Sequence, residues 1–274
     1  MIKPPKAETE ERPVFNITDS TLIPHKGERS LLSAWNISFF GAIGILIALP
    51  VLKKEPYQRI LEFVPDGIIA TFAVTISAIF FALIIGLFAG LGRISRIKPV
   101  NLIATIYVEV VRGIPLLVQL FYIYYALPPV MNAMGLGKII RLDGPTSAVL
   151  AMSICYGAYM AEIFRAGIQA VPKGQMEAAL ALGMSHSQAM RRVILPQTIK
   201  IILPPIGNEF IALLKDSSLV SILAVSDLLR RGREFASTSF LYFESYTVIA
   251  LIYLVMTLFF SRLVAMMEEK LRHQ

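Results

Sequence analysis

Long intervals without a charged residue alternate with short polar blocks along this chain. Residues 30–52, 67–92, 113–137 and 144–161 each lack Asp, Glu, Lys and Arg. A membrane-crossing helix needs about 20 apolar residues, so the first three intervals suffice as they stand. The fourth suffices once Glu162 is accepted near its end. A fifth apolar stretch covers about 198–214 and includes Glu209; a sixth covers about 245–262. Barrel strands would show short segments of alternating polarity instead. The predicted fold is therefore all-α, a polytopic membrane bundle of six transmembrane helices with both termini on one side.

Composition agrees with a membrane class. Of 274 residues, 55% are apolar and 16% are charged, against about 25% charged in soluble domains. Mean hydropathy is +0.65. With the N-terminus and residues 173–205 placed in the cytoplasm, 17 of the 26 Lys and Arg fall inside, as the positive-inside rule expects. That count places Arg112 in an inner loop with Arg93, Arg96 and Lys98. The cluster Arg230, Arg231 and Arg233 runs against the rule. The net charge of +7 reads as topology. No basic stripe with interleaved aromatics points to nucleic acid.

The first apolar run begins only after about 30 residues, unlike a secretory signal. Residues 1–30 hold four prolines and many charges, so a flexible cytoplasmic tail is expected. Cys155 stands alone, which excludes an internal disulfide and suits a small packing residue. No phosphate-binding loop is present, since Gly137-Lys138 lacks the upstream glycine. His25, His186 and His273 are far apart. No nucleophile with a base and no metal-ligand cluster can be named, so no catalytic residue, metal or cofactor is assigned to the chain.

Residues 173–205 form a polar block between two apolar spans. Ala178, Ala179, Leu180, Ala181, Leu182 and Met184 favour helix. Gly174 can open that helix and Gly183 can end it. Glu177 is placed near its start, where it would complement the dipole. A second helix is expected from Ser185, a candidate N-cap, to about Ile194, with Pro196 interrupting or turning the chain. The result is an elbow of two short helices. On spacing alone it reads equally as a solvated loop or as a docking surface.

The block resembles the cytoplasmic EAA motif of ATP-binding-cassette importer permeases, in which EAA precedes a glycine and then I-x-LP. Glu177, Ala178, Ala179, Gly183, Leu195 and Pro196 match in residue and spacing, with Val193 in place of Ile. Residues 111–119, 158–168, 207–211 and 214–220 are similar to segments of the polar-amino-acid branch, although Ile114 stands where many relatives carry Thr. The resemblance covers about residues 66–265. It implies three parts: a tail at 1–30, an extra N-terminal transmembrane helix and outer loop at 31–65, and a five-helix permease core at 66–274 with the coupling loop at 173–196. It also implies that about Gly174 to Met184 docks on a cytoplasmic ATP-binding subunit. Ala178 and Ala179 would allow close approach and Glu177 would supply a charged contact. ATP and Mg would be bound by that subunit and not by this chain. The other implied partners are an extracytoplasmic substrate-binding protein, a second permease subunit as a homodimer or with a similar chain, and the bilayer of a bacterial inner membrane.

A substrate path needs polar groups inside spans, where they are costly and tend to face a cavity. Glu162, Tyr159, Gln119, Asn208, Glu209, Lys215 and Asp216 are the candidates. Tyr156, Tyr159 and Glu162 share a helix face. Glu162 reads either as a pathway group or as the partner of Arg165 at the cytoplasmic interface. Lys215 and Asp216 read either as a local pair or as an outer gate. Mixed polarity would suit an amino acid, which carries both charges. Gly86 and Gly90 are expected to serve helix packing. Phe121, Tyr122, Tyr124 and Tyr125 are expected to pack, and Pro128 and Pro129 to end the third span. Two other classes are weighed. An ion-driven secondary transporter would show paired broken helices in inverted repeats, and no convincing pair is found. A non-transport scaffold would not need the EAA spacing.

Overall fold

The computed structural model describes residues 34–135 and 142–272. The expected tail at 1–30, along with His25, Gly137-Lys138 and His273, lies outside the described residues. Helices make up nearly all of the rest, as the charge-free intervals require. They are α1 (Ala34–Leu52), α2 (Lys54–Phe63), α3 (Pro65–Ile94), α4 (Lys98–Gly113), α5 (Leu116–Phe121), α6 (Leu127–Ala133), α7 (Gly144–Ala170), α8 (Lys173–Ala181), α9 (His186–Ala189), α10 (Leu195–Asp216), α11 (Leu228–Ser239) and α12 (Tyr242–Arg272). Five helical stretches are long and apolar enough to cross a membrane: 34–52, 54–94, 116–133, 144–170 and 242–271. The sixth expected span lies in α10, which is long enough but carries Lys200, Glu209, Lys215 and Asp216. Its polarity marks it as a helix whose faces are not all offered to lipid.

α7 is the centre of the bundle and packs most extensively on α3. Small residues make this possible. A Cβ on Gly86 would come within 2.3 Å of Met160 Cβ, and one on Gly90 within 2.8 Å of the Ala161 carbonyl. Close backbone approach of this kind replaces the hydrophobic drive that lipid removes. Ala78, Ala82, Ala148, Ala151, Met152 and Leu213 fill the seam around it. α1 is the opposite case. It packs on α12, donates from Trp35 Nε1 to the Leu258 carbonyl at 3.1 Å, and buries only Ala42. Such an all-round apolar, exposed helix belongs in lipid. The loop expected after it is instead the amphipathic helix α2, whose Tyr57 and Ile60 pack with Leu228, Val248 and Ile249.

α4 departs from the sequence reading. Residues 93–112 were expected as an inner loop, yet the chain turns at Ser95 and re-enters the bundle from Lys98. Val108 packs with Ala158 and Ala161 of α7, and Tyr107 Oη donates to the Ile154 carbonyl at 2.7 Å. Ile154 lies 16 residues before the end of α7, or about 24 Å at 1.5 Å per residue. The end of α4 is thus deep in the bundle, and Arg112 with it.

Prolines act in two ways. Pro115 separates α4 from α5, and Ile114 before it is extended (φ −105°, ψ 128°), as its neighbour demands. Pro128, Pro129 and Pro196 do not end or turn helices, contrary to expectation. Each follows a π-helical turn, Tyr122–Ala126 or Met190–Ile194, and the helix continues through it. A proline ring clashes with the carbonyl four residues back. Those residues are Tyr124, Tyr125 and Arg192, all within the widened turns. The wider turn provides the room.

Candidate functional site

The elbow is built as its spacing suggests. α8 starts after Pro172 and ends in a left-handed Gly183 (φ +81°). The Gly183 amide donates to the Leu180 carbonyl at 2.9 Å and the Met184 amide to the Ala179 carbonyl at 3.1 Å. This paired C-terminal cap satisfies two end carbonyls and needs a residue without a Cβ at the turn. A Cβ there would meet nothing within 4 Å, so conformation alone demands glycine. Ser185 then caps α9 in a reciprocal box with Gln188. The chain runs on through the π turn into α10 without a break.

Two details differ from the sequence reading. Glu177 is the fifth residue of α8 and lies beyond its first turn, where the helix dipole has faded. Ala179 is buried, 4% exposed, where α8 packs on α9 and the π turn. Its small size serves the elbow's own seam, whereas Ala178 is exposed. The outer surface carries Leu182 at 82% exposure and Leu195 at 44%. Lys173, Glu177, Arg191, Arg192 and Pro196 are exposed on the same segment. Glu177 has no ion-pair partner among the described residues. Exposed apolar side chains and unpaired charges on one projection suit a docking surface.

A second polar group lies deep between α4, α5, α7 and α10. Tyr156 and Tyr159 stack along α7 with ring centroids 5.8 Å apart. Tyr156 Oη donates to Asp216 Oδ2 at 2.9 Å. The Arg112 guanidinium stands 5.2 Å over the Tyr159 ring, a cation–π placement. Glu209 is within electrostatic reach of Arg112 and Asp216. Glu209 and Asp216 are seven residues apart, so they share one face of α10 two turns apart. Asn208 and Lys215 are exposed on the same helix. Lys215 and Asp216 form no ion pair with each other, because adjacent helical residues point apart.

Gln119 has a more definite task. Its Nε2 donates to the Val111 and Ile114 carbonyls, both at 2.8 Å, and lies 3.6 Å from Cys155 Sγ. Val111 and Ile114 lie at the break before Pro115, so the amide supplies a donor to the Ile114 carbonyl and a second one to the Val111 carbonyl, which also accepts from the Ile114 amide. Glu162 does pair with Arg165, and it also takes a bond from Arg93 Nη1 at 2.5 Å. The structure therefore brings Tyr159, Glu209 and Asp216 together around Arg112. It places Gln119 beneath them as a support and Glu162 in a separate ion network. Arg112 was missed because it was counted as an inner-loop charge. The signal that places it is Ala104, Val108 and Val111 at helical spacing just ahead of Pro115.

Asp227 is fully buried and caps α11, accepting from Leu229 N at 3.2 Å and Arg230 N at 3.1 Å. Burial pushes its carboxyl up to about 6, against the pull of those two amides. Asp143 caps α7 from an exposed position, and its bond from Thr146 lowers it.

A multi-span α-helical bundle with a projecting two-helix elbow and a polar cluster at depth is the architecture of a membrane transport subunit. Comparison makes this specific. The family described as "Binding-protein-dependent transport system inner membrane component" matches residues 82–273. The chain is 41% identical over 206 residues to the probable glutamine ABC transporter permease protein GlnM of Bacillus subtilis (strain 168), covering 75% of this chain and 92% of that protein. It is 36% identical over 207 residues to the glutamine transport system permease protein GlnP of Escherichia coli (strain K12), covering 76% and 92%. A solved structure described as an amino acid ABC transporter with histidines superposes with a TM-score of 0.70 at 46% identity, over 77% of this chain and 94% of that one. The chain belongs to the family of inner-membrane components of binding-protein-dependent transport systems, as a multi-pass permease subunit.

Proposed function

We propose that this chain is the permease of an importer that carries polar amino acids inward, driven by ATP hydrolysis on a separate subunit. The ATP-binding subunit docks on the elbow at 173–196, with Glu177, Ala178, Gly183, Leu195 and Pro196 forming or shaping the contact and Ala179 holding its two arms together. ATP and Mg stay on that partner. An extracytoplasmic binding protein delivers cargo to the opposite side, and a second permease subunit, identical or similar, completes the pore. Both termini lie in the cytoplasm. The cargo path runs past Tyr159, Arg112, Asn208, Glu209, Lys215 and Asp216, where both signs of charge suit a zwitterion.

The observation that carries this reading is the elbow itself, a rigid, doubly capped projection whose charged and apolar surface groups lack partners among the described residues. Relatives named for glutamine and other amino acids support the cargo class. The test is reconstitution in vesicles with a candidate ATPase subunit and a candidate binding protein. Uptake should require ATP inside the ATPase compartment. Uptake on an ion gradient without ATP would sink the reading in favour of a secondary transporter.

A further inference from the structure

The elbow hangs from the last turns of α7, through Val171 and Pro172. A push on it reaches the bundle only if those turns resist bending. Two turns before α7 ends, one carboxylate holds several groups. Glu162 Oε2 accepts from Arg93 Nη1 at 2.5 Å and from Arg165 Nε at 3.0 Å, and its Oε1 accepts from Arg165 Nη2. Arg93 belongs to the last turn of α3, and its Nη2 lies 3.7 Å from Glu109 Oε1 of α4. The Arg93 carbonyl accepts from Asn101 Nδ2 at 2.5 Å, near the start of α4. Arg165 Nη1 donates to Gln169 Oε1 at 2.7 Å, one residue before α7 ends.

These bonds form a continuous line from α4 through Arg93 and Glu162 to the end of α7. The pair within α7 alone would be weak if exposed. The bond across to α3 is different, because the Arg93 side chain is 15% exposed and screening by salt is weaker there. Both oxygens of Glu162 are already occupied, which leaves little capacity for a cargo amine.

We infer that Glu162 is a positioning residue that pins the elbow-bearing end of α7 to the α3–α4 hairpin. With the pin in place, displacement of the elbow moves the inner ends of α3, α4 and α7 as one body. Without it, the last two turns of α7 yield alone and the stroke is lost. The pin stands on geometry; its consequence for transport rests on the coupling reading above.

The near-isosteric Glu162→Gln and the separate Arg93→Gln test it. In the purified full chain, hydrogen exchange of residues 165–183 should speed up at least about tenfold in each variant, with residues 148–161 unchanged. No change at 165–183 overturns the pin. Acceleration at 148–161 as well overturns it too, since the pair would then serve the fold as a whole. In the complex with its ATPase, amino acid taken up per ATP hydrolysed should fall at least about fivefold, the low end of coupling effects. The double variant should be no worse than either single, because both cut one link. Unchanged uptake per ATP, or an altered order of competing amino acids in Glu162→Gln, overturns the role. A wild-type complex that neither hydrolyses nor transports would instead sink the coupling reading, and the exchange result would still decide the pin.

Discussion

The elbow and the interior of the bundle treat their polar residues oppositely. In the elbow, the outward charges of Lys173, Glu177, Arg191 and Arg192 are exposed and make no ion pair among the described residues. In the bundle, Gln119, Tyr156, Glu162 and Asp216 are bonded to named neighbours. Water tolerates the first arrangement at little cost, whereas a low-dielectric interior penalises unpaired groups heavily. The contrast separates surface kept for a partner from polarity that holds the bundle together. Within the bundle, Arg112, Asn208 and Lys215 are exposed and make no side-chain hydrogen bond among the described residues, which supports their place on the proposed cargo path.

Substitutions can break this contrast on one side at a time. The largest effect should come from Gly86→Val, which forces a side chain into Met160. Overpacking of this kind costs about 3 kcal/mol or more, so the protein should accumulate poorly and melt early in detergent, while the elbow sequence is untouched. Leu182→Asp should do the reverse. It puts a charge on a residue 82% exposed, so melting should not change, but copurification of the ATPase subunit should drop at least about tenfold, as for a central interface residue.

Asp227 gives a pH test confined to the bundle. Its carboxyl is raised to about 6 in the folded chain, above its unfolded value of about 3.9. The folded state therefore holds the proton longer, and this group's contribution to stability falls as pH rises from about 4 to 6, then stays level. Asp227→Asn keeps an N-cap and removes that slope. Wild type should lose about 2 kcal/mol relative to the variant across that window, read as the difference between their melting curves at pH 4.5 and pH 7. The smallest effect should be Gly183→Ala. A left-handed residue with a Cβ costs roughly 1–2 kcal/mol, and it falls on the angle between the elbow's arms. Uptake should decline several-fold with melting unchanged.

Features set by neighbours in sequence were legible. The intervals without charge locate α1 and α3 within a few residues and mark where α7 and α12 begin, because lipid imposes a length and excludes charge; both later helices run nine or ten residues further than the apolar stretch. Gly183 and Ser185 announce the turn and the cap, since both act on the backbone beside them. What depended on distant contacts was not legible. α4 looked like a loop because Arg93, Arg96, Lys98 and Arg112 bracket it, although its Val108 packs against Ala158 and Ala161 of α7. Pro128, Pro129 and Pro196 looked like stops because the widened turns before them leave no compositional mark. The pairing of Glu162 with Arg165 was legible, but the bond from Arg93, 69 residues away, was not.

The unbroken run from His186 through Asp216 has a mechanical meaning. Its first turns belong to the elbow and its far end carries Glu209 and Asp216. At 1.5 Å per residue the rod is about 45 Å long, with Pro204 and Pro205 as the one place inside α10 where its ladder loses donors. A tilt of roughly 5° at the elbow would sweep the far end by about 4 Å over that length, more than the length of a hydrogen bond. On the docking proposed above, the segment would act as a crank: a slight rotation at the elbow would be enough to break the bond from Tyr156 to Asp216.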